Sequence, residues 1–292
     1  MNPRLFALPA RLFALLIAVG LMGVAHAQSL AAQAAAPAKS QPAVKTNAND
    51  EMLAKAAKLY YSTAKAGLVA FDCAVHPEWH TLFVSASKGD AVAENDPRIV
   101  LLKSVGITLH GRLKGGSTLE WVETSDPGRP LDTDSTALLA SMHQATEQTL
   151  QGFMQFWTPF VDGSVVPENS AGIEITKGET GYTLQADSGG TKVTEVIDNQ
   201  LLLQHFNVVM KEATVDFVPA YKSTDKGLLV NSFQAHILAA GSPPERAQDM
   251  NVAIEYQIVQ GFPLPSTLNM SVVGTGVFNF VLDGCTTNPQ SK

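Results

Sequence analysis

The second half of the chain is a succession of nine short candidate strands, and this feature most restricts the folds open to the sequence. The runs are rich in Val, Ile, Thr, Tyr and Phe, and Gly, Asn or Asp separates most of them. They cover 173–176, 182–187, 192–198, 201–210, 214–220, 228–239, 251–259, 267–273 and 277–282. Connections this short join antiparallel neighbours, because a parallel return needs about a dozen residues or more. The pattern therefore predicts an antiparallel meander without a βαβ rhythm.

The first half of the chain carries helical patterns and one further hairpin. A helix is expected from Glu51 to Lys65, capped by Asn49 or Asp50, with an apolar stripe of Leu53, Ala56, Ala57 and Tyr60. Prolines at the first turn indicate two shorter helices. The remaining predicted elements are a strand over 68–75, helices over 78–85 and 98–104, and a hairpin of 107–113 with 117–123.

The strongest helical pattern runs from Ser135 to Phe160, and Pro159 is expected to end or kink it in the last turn. Its apolar residues fall within an arc of about 80°, and the opposite face carries four glutamines. Glu147 is the only charged residue of the segment. Two interpretations stay open: an amphipathic helix packed on a sheet, or a lid over an apolar cavity. Under the second, the predicted ligand-lining residues are Leu139, Met142, Phe153, Phe156 and Trp157.

These elements together predict the α+β class, with one large curved antiparallel sheet, half-barrel-like, and helices packed on one side. No charged residue occurs between Tyr256 and Leu282 or between Leu228 and Pro244. Strands without Lys or Glu suggest either cover on both faces or one face turned to an apolar cavity. A secreted domain with neutral polar residues outside is the plainer explanation. A single domain is expected over 48–288.

The N-terminus has the pattern of a secretory signal peptide over residues 1–27. Arg4 and Arg11 precede an apolar run over 12–24, and Ala25-His26-Ala27 offers a small-x-small cleavage site. The apolar run is too short to span a bilayer, so no transmembrane segment is predicted in the mature chain. The expected location is periplasmic or secreted. Residues 28–47 are rich in Ala, Pro, Gln and Ser and are predicted to be a disordered linker.

The charge balance bears on possible partners. The chain has 20 Lys and Arg against 27 Asp and Glu. Removal of residues 1–27 takes away two arginines and leaves a net charge of −9. Binding to nucleic acid depends on basic contacts to phosphates, so an acidic chain without a basic cluster predicts no nucleic-acid partner.

Cys73 and Cys285 are the only cysteines. In a chain addressed to an oxidising compartment, an even pair of this kind is expected to form a disulfide. A catalytic cysteine is not expected, because no neighbouring residue would lower the pKa of either thiol.

None of the motifs that could carry catalysis predicts an enzyme. His76 and His80 are four residues apart, but Glu78 between them does not reproduce the HExxH order of a zinc protease. Gly115-Gly116-Ser117 lacks the glycine spacing of a nucleophile elbow. The acids around Asp132 lack calcium-loop spacing. We expect no catalytic residues, no cofactor and no metal site, with a hydrolase as a third and weaker possibility.

Three segments of the C-terminal half carry a family resemblance. They are an acidic turn with an apolar strand over 196–203, a Tyr/Asp/Gly turn with a long strand over 221–229, and a strand that runs into a Gly-Phe-Pro-Leu-Pro corner over 256–265. This order resembles the outer-membrane lipoprotein carrier superfamily, the LolA/LolB-like half-barrels, over about residues 170–284. Gln260 stands where an acid is expected in that family. The extra N-terminal helices and the cysteine pair also depart from it.

The resemblance implies an incomplete antiparallel barrel whose helices close an apolar cavity for acyl chains. The leading expectation is an exported soluble binding or carrier protein that holds a lipid-like or other apolar ligand in a half-barrel cavity. Its expected partners are a lipid, an acyl chain or a lipoprotein. The alternative is a structural or interaction protein of the cell envelope, with a packed core and no ligand.

Overall fold

A computed structural model describes residues 47–87, 91–114, 116–123, 131–273 and 276–288 of the chain. The contacts divide it into two compact units. The first unit contains the described residues of 66–155 and those from Asn251 onward, and the second contains those up to Lys65 together with Phe156–Met250. The predicted signal peptide and almost all of the predicted linker lie outside the described residues.

The described residues form four α-helices and twelve β-strands. The helices are α1 (Ala48–Ala57), α2 (Trp79–Ala86), α3 (Pro97–Lys103) and α4 (Thr133–Asp162), and Pro244–Arg246 form one 3₁₀ turn. The strands are β1 (Ala70–Pro77), β2 (Val105–Arg112), β3 (Thr118–Glu123), β4 (Glu174–Lys177), β5 (Gly181–Ser188), β6 (Thr191–Asp198), β7 (Leu203–Val209), β8 (Ala213–Thr224), β9 (Gly227–Ala239), β10 (Gln248–Val259), β11 (Phe262–Val272) and β12 (Gly276–Thr287). None of the helices within the described ranges is long and apolar enough to cross a membrane.

The twelve strands belong to one antiparallel sheet. In the first unit the order is β3-β2-β1-β12-β11-β10, and in the second it is β9-β8-β7-β6-β5-β4. Strand β1 is central to the first unit, where it pairs with β2 on one side and with β12 on the other. The nine strands predicted in the second half are all confirmed, and so is the broad α+β class.

Two sequence-based boundaries need correction. Helix α1 begins at Ala48, because Asn47 caps it: the Asn47 side-chain oxygen accepts a hydrogen bond from the Asn49 N–H at 3.0 Å. The helix ends at Ala57, before the predicted Lys65. Pro159 does not end α4, which continues to Asp162 with the proline inside its last turn. The hairpin predicted over 107–123 is confirmed as β2 and β3.

The corner noted over 256–265 is a two-residue hairpin turn. Gln260 and Gly261 connect β10 to β11 and have φ values of 50° and 87°. Positive φ at both positions is the geometry that favours tight hairpins, because its twist matches that of the strands. The Gln260 amide oxygen accepts a hydrogen bond from the Thr287 hydroxyl of β12.

The predicted disulfide is present between β1 and β12. The Sγ–Sγ distance of Cys73 and Cys285 is 2.04 Å, and their Cα atoms are 4.1 Å apart. The strand register shifts between Asp72 and Ala74, so Cys73 lies at an irregularity of the β1–β12 ladder. The Gln257 amide donates to the Leu282 carbonyl at 2.8 Å and approaches Cys285 Sγ at 3.3 Å. This amide therefore ties β10 to the strand that carries the second cysteine.

The C-terminus of α4 is held by the segment that follows α1. Both the backbone N–H and the hydroxyl of Thr63 donate to the Val161 carbonyl, each at 2.7 Å, and the Ser62 hydroxyl donates to the Asp162 carbonyl at 2.8 Å. The last carbonyls of a helix have no partner within the helix, so these donors satisfy groups that would otherwise need water.

We expect Thr63→Val to lower the free energy of unfolding by about 1 kcal/mol, because it removes one buried hydrogen bond at nearly constant volume. Urea titration followed by tryptophan fluorescence measures the change. Thr63→Ser keeps the hydroxyl and is the matched control. Equal stability of the Val and Ser variants would contradict the assignment of this bond.

Candidate functional site

The candidate site is built around α4, the helix that the sequence marks as a possible lid. Its N-terminus is capped by Asp132, whose carboxylate accepts a hydrogen bond from the Ser135 N–H at 2.7 Å. From Leu138 to Val161 the helix is buried on more than its apolar stripe. Three threonines, Thr146, Thr149 and Thr158, are 7% exposed or less.

The glutamine face of α4, expected to be its polar side, is only partly exposed to water. Gln144 is exposed, whereas Gln148, Gln151 and Gln155 are half-buried. The side-chain oxygens of Gln148 and Gln155 are buried and have no hydrogen-bond partner. An unsatisfied buried acceptor costs about 1–3 kcal/mol. Burial of these two oxygens therefore makes the packed position of α4 less stable than it would be if both had hydrogen-bond donors.

Three of the predicted lining residues lie in the first unit. Leu139, Met142 and Phe153 are 4%, 8% and 1% exposed. Met142 borders a small cavity, which is also lined by Trp79 and Leu82 of the α2 region and by Phe280 of β12. The cavity volume is about 10 Å³, which is space for one water molecule. In this state the cavity has no space for an acyl chain.

The other two predicted lining residues, Phe156 and Trp157, lie in the second unit. Trp157 is fully buried, and Phe156 is half-buried. Phe156 and Phe160 of α4 both stack on Phe217 of β8, with ring centroids 5.9 and 5.4 Å apart. Phe217 in turn stacks on Phe233 of β9 at 4.5 Å. We call these four residues the phenylalanine layer.

A buried carboxylic acid lies in the same sheet. Strand register places Glu195 of β6 opposite Leu184 of β5 and Phe206 of β7, Phe206 opposite Phe217, and Phe217 opposite Ala235 of β9. These five residues form a row across the sheet, here called the Glu195 row. Glu195 is the only ionisable residue of this row. It lies two strands, about 10 Å, from Phe217, which also belongs to the phenylalanine layer.

Glu195 is 8% exposed, and its Oε2 atom is buried without a hydrogen-bond partner. Burial raises the pKa of Glu195 to about 8, since the charged form loses hydration and no cation compensates it. The carboxyl group is therefore protonated at neutral pH. It has one O–H donor in addition to its acceptors.

Two tyrosines are close enough to Glu195 to respond to its charge. The Tyr60 hydroxyl accepts a hydrogen bond from the Leu203 N–H at 2.8 Å, and its ring packs edge to face on Tyr221 at 5.3 Å. Burial raises the pKa of both tyrosines, and proximity to Glu195 adds to the rise. Both therefore stay neutral over the range in which Glu195 titrates.

We expect Glu195→Gln to stabilise the protein in a pH-dependent way. The pKa of Glu195 is higher in the folded protein than in the unfolded chain. Its stabilising contribution is therefore complete below the unfolded pKa and is lost as pH rises to the folded pKa. The window here runs from about pH 4.5 to about 8. The variant should match the wild type near pH 4.5 and exceed it by about 3 kcal/mol at pH 7.

Urea unfolding at four pH values between 4.5 and 8 measures this difference. Glu174→Gln is the matched control, because Glu174 lies exposed on β4 of the same unit. Parallel pH–stability curves for wild type and Glu195→Gln would show that Glu195 is ionised in the folded protein.

Sequence reasoning missed Glu195, although a pattern could have identified it. In the run Thr191-Lys-Val-Thr-Glu-Val-Ile-Asp198, Val193 and Ile197 share one face of the strand with Glu195. Period-two alternation therefore places the carboxylate inward between two apolar residues.

Five of the described histidines each lie beside an acidic side chain, and His143 stacks on Trp121. Nitrogen–oxygen distances are 3.1 Å for His76–Asp283, 2.9 Å for His110–Asp72, 3.1 Å for His205–Asp216 and 2.7 Å for His236–Asp249, and His80 lies 3.2 Å from Glu94. His76 lies on β1 and His80 on α2, so the HPEWH segment does not place the two on one helix face. Across the described ranges, no group of three or more His, Cys, Asp or Glu could hold a metal ion.

The fold and this site define an α+β protein with an antiparallel sheet, a long buried helix and a disulfide between two strands. No protein-family model matches the chain, and neither a curated protein nor a solved structure is found to be similar to it.

Proposed function

We propose that the chain is an exported, non-catalytic carrier that binds an apolar ligand, such as an acyl chain, between α4 and the sheet of the second unit. The observation that supports this most directly is the phenylalanine layer. The contacts within this layer are between aromatic rings and involve no hydrogen bonds. Contacts between these rings and an apolar molecule would be of the same kind. The ligand would insert between the α4 rings of Phe156 and Phe160 and the sheet rings of Phe217 and Phe233, in contact with both sides.

The polar groups of α4 support the same proposal. A helix that is always buried gains nothing from amide oxygens without partners, such as those of Gln148 and Gln155. Movement of the helix toward water would hydrate both oxygens and offset part of the cost of separating the rings. The helix would then act as the lid that its sequence suggests.

The proposed location and family relationship rest on separate features. The Cys73–Cys285 bond is typical of proteins outside the reducing cytosol, which supports export to the periplasm or beyond. The strand and corner patterns of the sequence over about residues 170–284 carry the proposed relationship to the lipoprotein carrier superfamily. They supply no binding residue by motif.

A second candidate is a structural or interaction protein of the envelope that binds no ligand. It is favoured by the packing around α4: the phenylalanine layer is closed, and the cavity beside Met142 has space for one water molecule. Under this interpretation α4 stays docked at all times.

Native mass spectrometry of the exported protein, followed by lipid extraction, tests the first proposal. Titration of the delipidated protein with 1,6-diphenylhexatriene, a fluorescent hydrocarbon, then measures binding directly. We expect Phe156→Gln to weaken this binding at least tenfold, since Phe156 is a half-buried member of the phenylalanine layer.

Phe83→Gln is the control, because Phe83 is a half-buried phenylalanine of the first unit. A bound ligand should also raise the melting temperature by mass action. No co-purified lipid, together with no probe binding, would support the envelope protein instead.

A further inference from the structure

We propose that the ligand of this carrier is a neutral lipid with one uncharged hydrogen-bonding group, a hydroxyl or carbonyl, which binds to the carboxyl of Glu195. This inference rests on the proposed function and adds the chemical class of the ligand. It places the polar end of the ligand at Glu195 and the apolar part along the phenylalanine layer.

The geometry of the Glu195 row carries the argument. Four of its five members are apolar, and Glu195 lies on the same sheet face as Phe217, two strands away. An apolar ligand that contacts Phe217 can therefore reach Glu195 with a group about 10 Å away. Oε2 of Glu195 has no protein partner, although buried polar atoms nearly always have one. A ligand hydroxyl or carbonyl would supply it.

The surroundings of Glu195 select against a charged head group. In the described part of the second unit, every lysine and arginine is exposed; they are Lys55, Lys58, Lys65, Lys177, Lys192, Lys211, Lys222, Lys226 and Arg246. A carboxylate or phosphate brought to the row would lose its hydration without gaining a cation. The nearby titratable groups, Tyr60 and Tyr221, are neutral hydroxyls and offer no positive charge.

The protonated carboxyl of Glu195 suits a neutral head group. It can donate to a carbonyl oxygen or to a hydroxyl, and its second oxygen can accept from a hydroxyl. A glutamine keeps one donor and one acceptor at nearly the same position, whereas a leucine keeps neither.

The experiment compares three fluorescent probes on the delipidated full-length protein at pH 7. They are 1,6-diphenylhexatriene, which has no polar group, cis-parinaric acid, and the alcohol obtained by reducing that acid. We expect the alcohol to bind at least tenfold more tightly than the acid. Glu195→Leu should weaken alcohol binding about fivefold, the value of one neutral hydrogen bond. It should leave diphenylhexatriene binding unchanged.

Glu195→Gln should retain the affinity for the alcohol, and Glu174→Gln serves as the control for a carboxylate change elsewhere in the unit. Circular dichroism confirms that each variant folds. Alcohol binding that Glu195→Leu leaves unchanged would overturn the inference, as would equal affinity for acid and alcohol. In either case diphenylhexatriene binding would still support the carrier. If no probe binds the wild type, the proposed function itself fails.

Discussion

Loss of the Cys73–Cys285 bond is expected to lower the free energy of unfolding by about 2–5 kcal/mol. The two residues are 212 positions apart, so the bond closes a very long loop in the unfolded chain. The chain-entropy model gives about 5 kcal/mol for such a loop, at the upper end of that range. The bond also joins β1 to β12 where their register is interrupted. The expected result is a lower urea midpoint in a Cys73→Ser/Cys285→Ser double variant.

The double variant is preferable to a single one because it leaves no free thiol to form mixed disulfides. Wild type measured in dithiothreitol is the matched control and should lose a similar amount of stability. Probe binding at temperatures where the variant is folded should be retained, since the bond belongs to the first unit and the proposed binding residues to the second. Unchanged stability after removal of both cysteines would refute a stabilising role.

Phe217→Ala is expected to lower the free energy of unfolding by about 3–5 kcal/mol. Phe217 is 2% exposed and is the ring shared by the whole phenylalanine layer, in contact with Phe156, Phe160 and Phe233. Truncation leaves a cavity that three rings border at once, and the backbone of β8 is fixed by pairing with β7 and β9. The cavity therefore has little freedom to collapse, and thermal or urea unfolding should show the loss.

Phe217→Leu is the matched control, and its cost should be clearly smaller, because it refills part of the volume. A double-mutant cycle of Phe217 with Phe156 isolates the contact between α4 and the sheet. We expect a coupling of about 0.5–1.5 kcal/mol from the stacked pair. A cost below about 1 kcal/mol for Phe217→Ala would mean that the layer is loosely packed.

The carrier proposal and the envelope-protein proposal predict different behaviour of the phenylalanine layer. If α4 is a lid, Phe217→Ala should open space for a hydrocarbon, and diphenylhexatriene should recover part of the lost stability by mass action. If the core is permanently packed, the probe should have no effect on either protein. The same variant therefore measures packing and helps to distinguish the carrier from an envelope protein without a ligand.

Elements with regular local patterns were predictable from the sequence. Runs rich in β-branched and aromatic residues between Gly, Asn or Asp turns, such as 192–198 and 228–239, identified β6 and β9. Proline at the first turn identified α3, where Asp96 caps the helix by accepting from the Arg98 N–H. The disulfide was predictable because the chain has only two cysteines and a predicted export signal.

Boundaries and exposure depended on contacts between distant residues. The stripe of α1 was recognised, but the helix ends at Ala57, and Tyr60 instead forms a bridge with Leu228 of β9. The glutamine face of α4 was recognised as the side opposite the apolar stripe. The glutamine face is partly buried because other segments pack against it. The periodicity of the α4 sequence does not predict these contacts.

The sequence by itself determined the strand succession, the antiparallel connections and the disulfide partners, because each depends on neighbouring residues or on there being only two cysteines. Only the tertiary structure decided that Glu195 joins Phe206 and Phe217 in one row and that Phe156 and Phe160 stack on the same ring. The physical reason is register: a shift of one residue would turn Glu195 to the opposite face of the sheet. That register is set by pairing and packing along the whole of β6, β7 and β8, rather than by any one of the residues that meet there.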